Sequence, residues 1–141
     1  MKLKATPKQD NKSVGERSEA IILARFIELG FHVFCPWGEN HRADMLIEDE
    51  DENLHRIQCK TGRVYRECVR FNTVSSYAHH RKGGKRNYRG QIDYFAVYVP
   101  KILKYYLVPV DLVGMKEGVL RLEPTKNNQE KYVRWAKDYE L

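Results

Sequence analysis

The segment LHRIQCKTGR, residues 54–63, places a glutamine and a lysine two positions apart within a strand-like run. Side chains alternate between the two faces of a strand, so Gln58 and Lys60 share one face and Cys59 points to the other. Hydrolysis of a phosphodiester with a divalent ion needs oxygen ligands and a nearby cation, which an amide oxygen and an ammonium group can supply. A polar pair of this kind also occurs on solvated strand edges, so the surrounding residues must distinguish the two interpretations.

A carboxylate that could join this pair lies in the preceding segment. The runs ADMLIE and LHRIQCK flank the acidic turn DEDEN, and this pattern predicts a β-hairpin from Asp44 to Lys60. Pairing through the turn would place Asp44 opposite Gln58 and Lys60. Taken alone, these residues could also form an ordinary hairpin with a surface ion pair.

Two further groups could complete a cage of oxygen ligands. A helix packed over the same face would contribute a glutamate, and the first predicted helix offers Glu19 and, as a second choice, Glu16. An acid there matters because the amide of Gln58 brings no negative charge and should bind Mg²⁺ more weakly than a glutamate would. The backbone carbonyl of Cys59 is another candidate ligand.

Charge and cysteine content limit the class of protein. The chain of 141 residues carries a formal net charge of +6, which favours a polyanionic partner because neutralised phosphates release counterions. Its three cysteines show no Cys-x-x-Cys spacing, which argues against a disulfide framework and a zinc ribbon. No apolar run resembles a signal peptide or approaches the roughly 20 residues of a membrane span. We therefore expect a cytoplasmic protein with reduced thiols and no membrane partner, associated with the nucleoid if its partner is DNA.

The N-terminal region predicts an arm followed by a helix. Residues 1–12 are polar and basic and indicate a flexible arm. A helix is predicted from Val14 to Leu29, with Asn11 or Ser13 as its cap. No repeat or linker divides the 141 residues, so the whole chain is expected to form a single domain.

The remaining elements are mainly strands. The runs FHVFCP, ADMLIE, LHRIQCK, ECVRFNTVSS, QIDYFAVYVP and KYYLVPVDLV predict strands, the first one buried and the last two central in the sheet. A C-terminal helix is predicted because four residues recur at helical spacing: Tyr132, Trp135, Ala136 and Tyr139. This order of elements predicts an α/β fold with a mixed central β-sheet flanked by helices.

Basic residues beside the hairpin are candidates for DNA contacts. Residues 79–90 carry basic side chains around a Gly-Gly pair and are interpreted as a basic DNA-contacting loop. Arg42 and Arg63 flank the hairpin and could bind phosphate. His79 and His80 lack metal-ligand spacing and are interpreted as loop residues. The full set of predicted DNA contacts is Arg42, Arg63, Arg81, Lys82, Lys85, Arg86, Tyr88 and Arg89.

The order of a helical glutamate, an aspartate and a Gln-x-Lys pair resembles the PD-(D/E)XK nuclease superfamily, with glutamine in the usual acidic position. More narrowly, the chain is similar to the group I intron-associated PD-(D/E)XK homing endonucleases. The similar segments are GERSEA, GFHVFCPWGENHRADMLIEDED, RIQCKTGR, DYFAVYVP, YYLVPV and LRLEPTKNNQEKYVRWAKDYEL. The resemblance covers about Gly15 to Leu141.

This resemblance implies a restriction-endonuclease-like core and specific roles for the residues above. Asp44 would be the central metal ligand, and Gln58 would occupy the variable acidic position. Lys60 would be the lysine of the superfamily pattern, and Glu19 would be the helical glutamate. Mg²⁺, replaceable by Mn²⁺, would be the cofactor. A homotetramer, or at least a homodimer, would cut both strands of double-stranded DNA at a specific sequence and leave 5′-phosphate and 3′-hydroxyl ends.

Two other functions stay open at the level of sequence. A structure-specific nuclease of the Holliday-junction type would use a similar set of residues but would recognise branched shape instead of base edges. Alternatively, Gln58 could mark a decayed catalytic site in a protein that only binds DNA.

Overall fold

The computed structural model describes residues 1–6, 9–76 and 85–141. Within these ranges there is one α-helix, α1, at Asn11–Glu28. The strands are β1 His32–Phe34, β2 Met45–Glu48, β3 Leu54–Thr61, β4 Arg63–Tyr65, β5 Cys68–Asn72, β6 Val74–Ser76, β7 Lys85–Asn87, β8 Tyr94–Val99, β9 Lys104–Pro109 and β10 Glu117–Arg121. Short 3₁₀ helices cover Val110–Leu112 and Ala136–Tyr139.

The main sheet is mixed, as predicted, and contains five strands in the order β1-β2-β3-β8-β9. β3 pairs in parallel with β8, and the other neighbours are antiparallel. A second sheet has the order β10-β5-β4, and β6 pairs with β7 in a separate two-stranded ribbon. After β3 the chain therefore leaves the main sheet, its described residues 63–76 and 85–87 contribute strands to the two smaller sheets, and it re-enters the main sheet at β8.

Both faces of the main sheet are covered by apolar side chains. On one face, α1 packs Ile22 and Phe26 against Ile57, Cys59 and neighbouring strand residues. The opposite face packs against the smaller sheets through a second cluster that includes Phe71 and Phe95. A strand covered on both faces is apolar at every position, which explains the continuous apolar run of β8.

The N-terminal helix begins earlier than the sequence predicted. Asp10 is its cap, and the Asp10 carboxylate accepts a hydrogen bond from the backbone N–H of Ser13 at 3.0 Å. Because Asp10 lies outside the helix in extended conformation and binds the first free N–H groups, Asn11 and Lys12 are already helical. The predicted arm of residues 1–12 is therefore shorter than expected.

The predicted C-terminal helix is absent from the described residues. Asn128 and Tyr132 have positive φ values of 54° and 64°, which an α-helix does not accommodate. The backbone of this tail pairs with strand edges instead, since Arg121 N–H donates to the Arg134 carbonyl at 2.7 Å. Tyr132 consequently is exposed instead of joining the core. The sheet is thus flanked by one helix and the smaller sheets.

Three strand predictions also need correction. β1 is an edge strand with exposed His32 and Phe34, so it is not buried. β9 is an edge strand as well, whereas β8 is internal. The run ECVRFNTVSS divides into β5 and β6 at the buried Thr73, whose hydroxyl donates to the Gly114 carbonyl at 2.6 Å.

The predicted basic loop lies partly outside the described residues. Lys85–Asn87 form strand β7 of the ribbon, so this part of residues 79–90 is not a loop. Arg81 and Lys82, together with His79 and His80, lie outside the described residues. Across the described residues, no helix has the length and apolar character needed to cross a membrane.

Candidate active site

The predicted hairpin forms and brings Asp44 beside Gln58. β2 and β3 pair antiparallel with Met45 opposite Ile57, which places Asp44, the residue before β2, opposite Gln58. The backbone N–H of Asp44 extends this pairing by donating to the Ile57 carbonyl at 2.8 Å. The hairpin alone therefore fixes the separation of the two side chains.

The carboxylate of Asp44 receives two hydrogen bonds from β3. Its Oδ2 atom accepts from the backbone N–H of Cys59 at 2.8 Å and from the side-chain nitrogen of Gln58 at 2.6 Å. With its nitrogen turned to Asp44, the Gln58 amide has its oxygen at the opposite end, where it could bind a cation. A glutamate at this position would instead bring two carboxylates into contact.

Burial shapes the acid–base properties of Asp44 and Lys60. It raises the pKa of Asp44, although the Cys59 N–H, the charge of Lys60 and the Gln58 amide all act in the opposite direction. Burial also lowers the pKa of Lys60 to about 8, with the charge of Arg42 acting in the same direction and that of Asp44 opposing it. The site is thus dry enough to penalise charge on both side chains.

Glu19 lies near this group but reaches it from an unexpected direction. The helix α1 packs on the face of β3 that carries Ile57 and Cys59, so the prediction that a helix covers the face of Gln58 was wrong. Glu19 is nevertheless close enough to Asp44 for their charges to interact. Burial is the main cause of the raised pKa of Glu19, and the charge of Asp44 raises that pKa further. A buried bond joins the two elements beside it, where the hydroxyls of Ser18 and Thr61 lie 2.6 Å apart.

Glu16 is placed differently from Glu19. It is exposed on α1 and lies 4.0 Å from the ammonium group of Lys12, one helical turn away. Its charge still contributes to the raised pKa of Glu19, as the last of three causes. The structure therefore favours Glu19 over Glu16 as the helical acid of the site.

The donor chemistry of this group fits a small hard cation. Two half-buried carboxylates with raised pKa values, an amide oxygen and a backbone carbonyl are the oxygen ligands that Mg²⁺ prefers. The charge of Asp44 contributes to the raised pKa of Glu19, so the two carboxylates repel each other. A bound cation would relieve this repulsion. Among the described residues, no three His, Cys, Asp or Glu side chains gather closely enough to form a metal site by themselves. Gln58 and the Cys59 carbonyl would therefore be needed.

Arg42 and Tyr88, predicted as DNA contacts, lie instead inside the protein around Lys60. Tyr88 is only 5% exposed, and its hydroxyl is 3.4 Å from the Lys60 ammonium group. The guanidinium of Arg42 lies over the Tyr88 ring at 3.9 Å from its centroid. Arg42 also donates to the side chains of Gln91 and Ser75. The buried ring of Tyr88 faces Lys60 and the core, so this structure does not present Tyr88 as an exposed DNA contact.

The other described arginines predicted to contact DNA are at the surface. Arg63 is exposed and pairs with Glu117 at 2.9 Å. Arg89 is exposed and donates to the Val113 carbonyl at 3.0 Å. Arg86 is exposed in β7, the strand that begins at Lys85.

The site also contains residues that sequence reasoning did not identify. Ser75 and Gln91 hold the Arg42 guanidinium, and the Ser18–Thr61 bond joins the neighbours of Glu19 and Lys60. These contacts connect residues 33 to 49 positions apart, so neither periodicity nor local spacing indicates them. The only sequence signals were the positions of Ser18 beside Glu19 and of Thr61 beside Lys60, and nothing in the sequence indicated Ser75 or Gln91.

Comparisons with known proteins support the family and the fold. The family model of PD-(D/E)XK endonucleases matches residues 9–141. Among solved structures, the bacterial homing endonuclease I-Ssp6803I is similar with a TM-score of 0.70 and 22% sequence identity, over 93% of this chain and 88% of that one. No curated protein sequence matches the chain. The match to the family model and the structural similarity confirm the predicted mixed-sheet nuclease fold.

Proposed function

Because this chain belongs to the PD-(D/E)XK endonuclease family, we propose that it is a Mg²⁺-dependent, sequence-specific double-strand DNA endonuclease of the intron-homing type. The observation that carries this proposal is the convergence of Asp44, Gln58 and Lys60 at one end of the β2–β3 hairpin, with Glu19 nearby. The net charge of +6 supports a DNA substrate.

The oxygen ligands for the metal would come from four groups: the carboxylates of Asp44 and Glu19, the Gln58 amide and the Cys59 carbonyl. Mg²⁺ would polarise the phosphate and lower the pKa of an attacking water, and Mn²⁺ should substitute for it. The hydrogen bonds from Gln58 and the Cys59 N–H orient the Asp44 carboxylate and favour its charged form, against burial, which raises its pKa.

Lys60 would orient or activate the attacking water and neutralise charge that develops on the phosphate. The Lys60 side chain is half-buried, where an electrostatic contact is stronger than in water. Water attack on phosphorus would leave 5′-phosphate and 3′-hydroxyl ends. A homotetramer, or at least a homodimer, would supply one site for each DNA strand.

Exposed basic residues would bind the DNA backbone outside the site. Arg63, Arg86 and Arg89 are exposed in the structure, and we propose them as phosphate contacts together with Lys85, Arg81 and Lys82. Such contacts carry no sequence information by themselves, so base recognition requires further residues. Binding of this kind would associate the protein with the nucleoid.

The central test is digestion of a randomised linear DNA library and a four-way junction with the purified protein and Mg²⁺, followed by sequencing of the cut ends. Cuts at one preferred linear sequence would support the proposal. Junction cleavage without preference for a linear sequence would replace it with a structure-specific nuclease. Binding without any nicking would indicate a decayed site. Size measurement of the same sample tests the proposed tetramer.

Two variants test the assigned roles. Asp44→Asn and Lys60→Ala should each lower cleavage by more than about 100-fold, as expected for groups that stabilise transition-state charge. DNA binding, measured in EDTA, should be retained. Asp111→Asn and Lys101→Ala change exposed residues of the same types and should cleave as the wild type does. Retained cleavage in either site variant would contradict the mechanism.

A further inference from the structure

The Lys60 side chain lies against an aromatic ring. Its ammonium group is 4.7 Å from the centroid of the Tyr88 ring and 3.4 Å from the Tyr88 hydroxyl. Among the described residues, no carboxylate forms an ion pair with Lys60, which is the usual way of fixing a lysine. A cation held by a ring and a hydroxyl is oriented without its charge being neutralised.

Tyr88 itself is fixed from several sides. Its ring packs edge-to-face on Phe95, with the centroids 5.6 Å apart and the planes at 88°. Burial raises the pKa of its hydroxyl, and Ser75 of the ribbon, close to that hydroxyl, acts in the opposite direction. The Tyr88 carbonyl accepts backbone hydrogen bonds from Gln91 and Ile92. The ring therefore has one position, set by both the core and the ribbon.

Arg42 closes the other side of this arrangement. Its guanidinium lies 3.9 Å from the Tyr88 ring centroid, and its Nη2 donates to the Asn87 carbonyl at 2.8 Å. With Gln91 and Ser75 also accepting from it, the guanidinium is directed at protein oxygens. The planar, rigid fork of arginine suits such a bracket, whereas a flexible lysine would not reproduce it.

We propose that Tyr88 and Arg42 are positioning residues that hold the Lys60 ammonium group toward the scissile phosphate, an inference that rests on the proposed nuclease function. Neither residue touches DNA. The base of the β6–β7 ribbon therefore also supports the active site. Its Ser75 hydroxyl and Asn87 carbonyl accept hydrogen bonds from Arg42, and Ser75 lies near the Tyr88 hydroxyl.

The test measures DNA affinity and single-turnover cleavage at saturating DNA separately. Tyr88→Phe keeps the ring but removes the hydroxyl, so cleavage should slow by about 3- to 10-fold, the range for loss of one hydrogen bond. Tyr88→Leu removes the ring and should slow cleavage by about 100-fold, as a misplaced catalytic group does. The dissociation constant for DNA should stay unchanged in both. Tyr106→Phe is the matched control, because Tyr106 is a buried tyrosine of the same core cluster.

Arg42→Gln separates positioning from DNA contact. A positioning role predicts slower cleavage with unchanged affinity and unchanged salt dependence. A phosphate contact predicts weaker binding and a salt slope reduced by about 0.9 for the lost contact. The second result would overturn the inference for Arg42.

A spectroscopic measurement in EDTA and without DNA tests the geometry independently of activity. With ¹³C at lysine Cε, the Lys60 signal, identified by its loss in Lys60→Ala, should be displaced by the ring current of Tyr88. The displacement should persist in Tyr88→Phe and vanish in Tyr88→Leu. A Lys60 signal at the position of exposed lysines in the wild type would overturn the inference.

The outcomes distinguish this inference from the proposed function. If the wild type cleaves DNA and Tyr88→Phe cleaves as fast as Tyr106→Phe, only the positioning role is overturned. If the wild type does not cleave DNA under any condition tested, the nuclease proposal fails, and the catalytic purpose of the Tyr88 contact fails with it.

Discussion

Replacing Gln58 by glutamate should make the protein less stable without metal and more responsive to metal. In the wild type, the Gln58 side-chain nitrogen donates to Asp44 Oδ2 at 2.6 Å. Gln58→Glu exchanges this donor for a second carboxylate, so an attractive contact becomes a repulsive one. The perturbation is isosteric, and the change in stability therefore reports charge instead of packing.

The magnitude follows from the distance and the burial. Two unit charges that relax to about 4 Å apart repel by about 4 kcal/mol at an effective dielectric constant near 20. Loss of the hydrogen bond from Gln58 to the charged Asp44 adds about 1.5 kcal/mol or more. Uptake of a proton by one of the two carboxylates limits the total loss of stability. We expect the free energy of unfolding in EDTA at pH 8 to fall by about 2 to 4 kcal/mol.

The pH dependence has a definite sign. Burial already raises the pKa of Asp44 in the folded protein, and a neighbouring carboxylate raises it further. A carboxyl pKa that is higher in the folded than in the unfolded protein costs no stability below the unfolded pKa, and the cost grows as pH rises from the unfolded toward the folded pKa. The variant should therefore match the wild type near pH 4 and fall behind it toward pH 8.

Urea unfolding in EDTA and in Mg²⁺, across this pH range, is the appropriate assay. Bound Mg²⁺ stabilises only the folded state, so it should raise the stability of Gln58→Glu more than that of the wild type. Gln129→Glu adds the same charge at an exposed position and serves as the control. Equal stability of Gln58→Glu and this control in EDTA at pH 8 would refute the idea that the amide prevents carboxylate repulsion.

Three other sets of substitutions have directional outcomes in unfolding experiments. Lys60→Met should stabilise the protein at pH 7 by up to about 3 kcal/mol, since burial lowers the lysine pKa to about 8 and disfavours its charged form. This gain should shrink between pH 8 and 10.5. A gain that stays constant over this range would contradict burial of the charged lysine as the cause. Thr61→Val leaves the buried Ser18 hydroxyl unpaired and should cost about 1 to 3 kcal/mol, and Ser18→Ala leaves the half-buried Thr61 hydroxyl unpaired and should cost about 1 kcal/mol. The double variant should cost less than the sum of the two, and strict additivity would mean that the bond does not join α1 to β3. Gly118→Ala should destabilise strongly because its Cβ would overlap the ring of the buried Phe71, whereas Gly15→Ala, with open space around it, should stabilise the helix by about 1 kcal/mol. Similar effects of the two substitutions would exclude a steric cause.

The part of the site that the sequence predicted is the part that local structure determines. Asp44, Gln58 and Lys60 belong to one hairpin, and strand alternation with an acidic turn is enough to bring them together. The position of α1 could not be read in this way. Its apolar residues indicate that it packs on the sheet, but not on which face, and the structure places it opposite to the expected one.

The errors in the fold have tertiary causes. The spacing of Tyr132 and Trp135 suits a helix, yet the backbone near Trp135 pairs with the edge residue Arg121, which local propensity does not reveal. Arg42 and Tyr88 were predicted to face DNA because of their types, and only the folded chain shows them packed on each other beside Lys60. Their roles, and those of the other site residues, stay predictions.

The parallel pairing of β3 with β8 also determines when the site can form during synthesis. The hairpin with Asp44 and Lys60 is complete early in the chain, but β8 pairs with β3 only after the excursion of residues 62–93. Tyr88, the support of Lys60, lies near the end of that excursion. A nascent chain on the ribosome, or a prematurely terminated fragment, would thus carry the reactive groups without the scaffold that aligns them.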